Sequence, residues 1–260
     1  MKWITIVLLI FIAQSKSWHL ANSCKGDFGT IEVDEHGNIF ITNRNKHLLK
    51  LTPELDTAYI FNEKTAEVDF ISLQNSLKIL TFNQGLNTIQ FLDKTLSPSV
   101  GEINLDESEL PLVLALGVSR DNNFWVFDQD QQELKKLSGK LELLSNSGNL
   151  INITGKSWAP HRLKEIGDRV FVCDSTQGIM EFDFFGTYIQ SIRTKIKSNF
   201  YIEKNNLFYL SQDSLIIHDL MFHTEEKMVL PQKNIKEFAY YKSQLYLLTE
   251  EKLYIYVLSN

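Results

Sequence analysis

One unit recurs six times along this chain, and a repeat of that period restricts the fold more than any local motif can. Each copy reads as an apolar strand, a tight polar turn, a second strand of β-branched and aromatic residues, and a third apolar strand. The second strands are Ile39-Phe40-Ile41-Thr42, Leu77-Lys78-Ile79-Leu80, Phe124-Trp125-Val126-Phe127, Val170-Phe171-Val172-Cys173, Leu207-Phe208-Tyr209-Leu210 and Leu245-Tyr246-Leu247-Leu248. The residues just before them are Asn38, Ser76, Asn123, Arg169, Asn206 and Gln244, which lie 38, 47, 46, 37 and 38 positions apart. One four-stranded propeller blade takes roughly 40 to 50 residues. The third strands keep step, starting at Leu48, Ile89, Leu134, Ile179, Leu215 and Leu253, which are 10, 13, 11, 10, 9 and 9 residues after those turns.

Short strands at this spacing, without a helical period, predict an all-β protein. Radial repetition is one way to keep sheet edges short and protected, so the sequence predicts a six-bladed β-propeller. The sixth copy runs out: only Leu258-Ser259-Asn260 follow Tyr254-Ile255-Tyr256-Val257, too few for an outer strand. The segment Trp18 to Ser23 precedes the first blade and is predicted to supply that strand, so that the mature N-terminus closes the ring.

The first residues have a separate reading. Met1-Lys2 is followed by an eleven-residue apolar run, Trp3 to Ala13, and then by Gln14-Ser15-Lys16-Ser17. This is the layout of a secretory signal peptide over 1–17, leaving a propeller domain over 18–260. The run is too short to span a bilayer, which takes about 20 apolar residues, and no other stretch approaches that length. The expected mature chain is exported, periplasmic or secreted, with no membrane span. Two cysteines, Cys24 and Cys173, cannot staple a chain of 260 residues, and they fall on opposite sides of the predicted ring. Disulfide geometry requires close Cα atoms, so both are expected as free, mostly buried thiols.

Charge narrows the partners further. With 26 basic against 32 acidic side chains the net charge is −6, so no overall field attracts nucleic acid. No Gly-x-Ser-x-Gly elbow, phosphate-cradling loop, dinucleotide fingerprint or His-Glu-x-x-His motif occurs, and neither a cofactor nor a metal is predicted. A site built from six separate blades would leave no local motif. Glu32, Asp34, Asp69, Arg120, Asp121, His161, Arg162 and Glu165 are therefore singled out on or beside the innermost strands, although Asp34 and Asp121 also sit where short polar side chains satisfy turn backbone. The loop Gly155 to Arg162 gathers Trp158, His161 and Arg162. Trp and Arg are favoured interface anchors, and Tyr241, from the pair Tyr240-Tyr241, joins them as a candidate interaction residue; the alternative is that Trp158 caps the core from the loop, Arg162 starts the inner strand of blade four and the tyrosines pack in the core.

The stretch Val33-Asp34-Glu35-His36-Gly37-Asn38-Ile39-Phe40-Ile41, followed by Leu48 to Leu55, resembles a repeat of the NHL and related six-bladed propeller families. More loosely, the chain is similar to small exported bacterial propellers such as the plug subunit of the type 9 outer-membrane translocon. The resemblance implies a rigid disc that binds an outer-membrane or other protein, as a monomer within a hetero-complex, and makes no bonds. The alternatives are a small-ligand or glycan-binding propeller and a channel-site hydrolase.

Overall fold

The computed structural model describes residues 17–61, 67–108 and 110–259; the expected leader over 1–17 lies, but for Ser17, outside them. The described strands form six four-stranded antiparallel sheets. Blade one holds β2 (Phe28–Val33), β3 (Ile39–Asn43), β4 (Leu48–Leu51) and β5 (Thr57–Phe61), and blade two β6 (Phe70–Asn75), β7 (Lys78–Asn83), β8 (Thr88–Leu92) and β9 (Ile103–Asn104). Blade three holds β10 (Val113–Val118), β11 (Phe124–Asp128), β12 (Glu133–Leu137) and β13 (Leu143–Asn146); blade four holds β14 (Pro160–Ile166), β15 (Arg169–Asp174), β16 (Gly178–Asp183) and β17 (Tyr188–Ile192). Blade five holds β18 (Phe200–Glu203), β19 (Asn206–Ser211), β20 (Ser214–Asp219) and β21 (Glu225–Val229). In blade six β22 (Glu237–Tyr241), β23 (Gln244–Leu248) and β24 (Lys252–Ser259) are completed by β1 (Ser17–Lys25), which runs antiparallel to β24 from Ser17↔Ser259 to Lys25↔Lys252. A short helix, α1 (Leu150–Thr154), links blades three and four.

The core is divided among the gaps between neighbouring blades. Ile39 and Ile41 pack toward blade six, while Phe40 packs toward blade two. Leu245 and Leu247 face blade five, and Tyr246 and Leu248 face blade one. Successive side chains leave a strand on opposite sides, so a middle strand flanked by two blades needs an apolar residue at every position. That is why the second strands read as largely apolar runs, with Lys78 and Thr42 as polar exceptions. The spacing-based strand starts agree with those observed to within one residue.

Aspartates organise the turns. Asp34 Oδ1 accepts the backbone N–H groups of His36 and Asn38 at 2.9 Å, with Gly37 at φ +84° between them. Asp93, Asp128, Asp174, Asp183 and Asp219 grip their own turns in the same manner. At the axis, Gly117 has a steric role: a Cβ there would lie 2.8 Å from the Leu163 carbonyl, so β10 and β14 approach this closely only because it is glycine. Both cysteines are free, Cys173 buried and Cys24 half-buried.

Candidate functional site

Two places merit a functional reading: the axis of the ring, and a groove on one face. At the axis, β14 alternates. Arg162 and Lys164 point inward while Leu163 and Glu165 point between blades. Lys164 Nζ lies 2.9 Å from Glu32 Oε1 of β2, and Arg162 Nη2 lies 2.8 Å from Glu237 Oε2 of β22. Asn199 Nδ2 also donates to Glu32 Oε1 at 2.8 Å, its backbone N–H donates to Glu237 Oε1 at 2.8 Å, and the Tyr201 hydroxyl donates to Glu32 Oε2 at 3.1 Å. Lys164 sits 3.9 Å above the Tyr201 ring and Arg162 stacks 4.5 Å from Phe70.

These side chains tie blade four to blades one, two, five and six, leaving a cavity of about 160 Å³ beside them. Two cations meet two carboxylates, and each carboxylate accepts from several donors. Burial pulls the Lys164 ammonium below its ordinary range, opposed by Glu32. Burial, reinforced by Glu32 and Glu237, pushes the Tyr201 hydroxyl well above its own. Chemically the arrangement is a clamp, in which no carboxylate stands ready as a general base.

Glu165 is buried between blades three and four. It accepts from the Ser119 hydroxyl, from Trp125 Nε1 at 2.7 Å and from the Arg120 backbone at 2.9 Å, which fixes the turn after β10. Asp121 pairs with Lys136 at 2.8 Å, and Asp69 with Lys46 at 2.8 Å. Asp34, Glu35 and His36 bring three ligand-type atoms together, but Asp34 is taken up by its turn and Glu35 accepts the Ser76 backbone N–H.

The four candidate interaction residues do not form one surface. Trp158 is 2% exposed and belongs to the core between blades three and four, its indole N–H donating to Thr154 Oγ1 at 2.9 Å, so it supports the loop from inside and presents no ring to a partner. His161 is half-buried, with Nε2 3.0 Å from the Ser198 carbonyl and Nδ1 without a hydrogen-bond partner among the described residues; burial lowers its pKa. Arg162 belongs to the clamp. Tyr241 closes β22, whereas His161 and Arg162 open β14, so they stand at opposite ends of the inner strands; the Tyr241 hydroxyl donates to the Glu35 carbonyl at 2.7 Å.

The groove lies between blades two and three, on the face made by the turns joining first to second and third to fourth strands. Its volume is about 670 Å³, within the range of ligand-sized sites. Phe91 and Ile103 line it, Leu77 and Val100 stand 67% and 51% exposed at its edge, and Lys78 and Arg120 lie on its walls. The cause is local. β9 has only two residues, and before it β8 meets the chain at a Leu92↔Pro98 bridge and through the Ser99 N–H on the Phe91 carbonyl, so residues 100–102 interrupt the ladder, with the Gln90 side chain donating to the Val100 carbonyl. Pro98 cannot donate to a strand ladder, which was the one sequence signal for this opening. On the same face Phe185, Met221 and Phe222 extend from turns of blades four and five at 73%, 62% and 72% exposure.

No protein-family model matches the sequence, and no curated protein matches it. Among solved structures the chain is similar to a streptogramin B lyase, at 12% identity and TM-score 0.59, over 95% of this chain and 88% of that one. It is similar to the Cps50 (Swd1) β-propeller domain of Myceliophteria thermophila, at 8% identity and TM-score 0.66, over 94% of this chain and 100% of that one. It is also similar to BamB from Moraxella catarrhalis, at 9% identity and TM-score 0.53, over 93% and 98%. At these identities the likeness establishes the β-propeller fold and carries no activity with it.

Proposed function

We propose that this chain is an exported, non-catalytic β-propeller acting as a protein-protein interaction module, of NHL-like type, and a periplasmic subunit or plug of an outer-membrane protein complex. The observation that carries the reading is the contrast between axis and face. The axial charges are matched to one another, while one face leaves a groove of about 670 Å³ open beside exposed Leu77 and Val100. Exposed apolar side chains gathered at a concavity are the usual mark of a recognition surface. Phe185, Met221 and Phe222 add apolar surface to the same face. The leader-like residues 1–17 support export.

The test is co-purification of the tagged protein from gently solubilised membranes of its own host, with intact-mass analysis of the recovered chain. The expected result is a stoichiometric outer-membrane partner above a tag-only control, bound to a chain beginning near Ser17. Recovery of the protein alone overturns the interaction reading, and a chain retaining Met1 overturns export by cleavage.

A further inference from the structure

We infer that the groove between blades two and three receives an acidic, apolar segment of a partner protein: two aliphatic or aromatic side chains beside Asp or Glu. This rests on the proposed role as an interaction module and adds the place and the chemistry of recognition. The floor is apolar, formed by Phe91, Ile103 and their neighbours. Among the described residues, the charged side chains lining it are Lys78 and Arg120, both cations, in a chain whose net charge is −6.

Neither cation is fully matched. Lys78 Nζ meets the neutral Asn122 Oδ1 at 3.4 Å and stands 5.1 Å from the Phe91 ring. Its neighbour Asp121 is held by Lys136 at 2.8 Å. Burial beside the groove lowers the Lys78 pKa, opposed in part by Asp121, and a further carboxylate arriving there would favour the charged form. The Arg120 guanidinium stacks 4.2 Å from Phe184, with Nε 4.0 Å from Glu165, and remains 45% exposed. Two cations on the walls of an apolar trough complement an acidic, apolar chain and repel a basic one.

Arrays of synthetic peptides test this against the full mature protein. Three pools share two fixed Leu or Phe positions and differ in the flanking residues, which are Asp/Glu, Gln or Lys/Arg. The acidic pool is expected to bind about tenfold more tightly than the basic pool, with the neutral pool between. Lys78→Glu with Arg120→Glu should invert that order, and Val100→Trp, which fills the groove, should abolish binding of all three. Circular dichroism confirms that each variant is folded, and Leu20→Ala on the outer strand of blade six should leave the order unchanged.

Equal binding of the three pools, a preference that survives the double charge reversal, or no binding by any pool overturns the inference. If a stoichiometric partner still co-purifies in that event, the module reading stands and its contact surface lies elsewhere. If peptides bind as expected but no partner co-purifies, the groove chemistry stands and the assembly reading fails.

Discussion

Lys164 Nζ lies 2.9 Å from Glu32 Oε1, joining inner strands of blades four and one across the axis and linking residues 132 apart in sequence. Its loss should be felt throughout the ring. Lys164→Met leaves Glu32 buried with Asn199 and Tyr201 as donors but no cation, and removing one partner of a buried pair costs about 3–5 kcal/mol. The Lys164→Met, Glu32→Gln double variant should recover much of that loss, because an uncharged pair needs no counter-ion. Urea midpoints at constant m-value measure both. A single variant as stable as the parent would show that the clamp contributes nothing net.

Acid should weaken the turn beside the groove. Burial raises the Asp121 pKa, but hydrogen bonds from Lys136, Ser119 and Asn123 more than offset it and hold the carboxyl at about 2, against an ordinary 3.8. The folded chain therefore binds fewer protons than the unfolded chain between those values. The stabilisation is fully present above about pH 4 and is lost as pH falls toward 2. Because the Asp121 side chain is 36% exposed, screening limits the effect to below ~1 kcal/mol. Asp121→Asn should flatten the stability profile between pH 2 and 4, relative to the parent, in urea titrations at each pH.

Trp158→Ala should act on stability. The indole fills the gap between blades three and four and its N–H is satisfied by Thr154, so truncation is expected to cost about 3–5 kcal/mol. Partner capture below the melting temperature should match the parent. Capture lost with stability intact would place Trp158 at the interface.

The two thiols should differ in access. Burial raises the pKa of both, and Cys173 on β15 is fully enclosed whereas Cys24 on β1 is half-buried. Pulsed alkylation followed by peptide mass spectrometry should label Cys24 slowly in the native protein and Cys173 only in denaturant. Rapid native labelling of Cys173 would show that blade four opens.

Deleting residues 17–25 removes the outer strand of blade six and uncovers the edge of β24. The truncated chain should lose cooperative unfolding and gain dye binding to exposed apolar surface. An unchanged melting transition would mean that the other three strands of the blade suffice.

The ring was legible because its rule is local. Every middle strand must be apolar on both faces and preceded by a polar turn, and segments such as Phe124 to Phe127 and Leu245 to Leu248 show this directly in sequence. Within the clamp, Glu32 and Arg162 were also visible as polar residues on inner strands. Lys164, Asn199, Tyr201 and Glu237 were not, since they meet only when blades one, four, five and six surround one axis. The loop composition around Trp158 allows either an interface anchor or a cap on the core, and Thr154 and Gln132 draw the residue inward as a cap. The groove carries no sequence motif because it is made by the shortness of β9, and a gap in pairing leaves little trace beyond Pro98.

The pairing of β1 with β24 also sets an order of assembly. Ser17 and Ser259 hydrogen-bond across 242 residues, whereas the other five sheets pair strands that follow one another in the chain. Those five can form as synthesis proceeds, N-terminal first. The sixth waits for β24, and contacts of such sequence separation are slow to find. β1, which precedes the other described strands, is therefore among the last of them to be paired, and until then the disc remains an open arc.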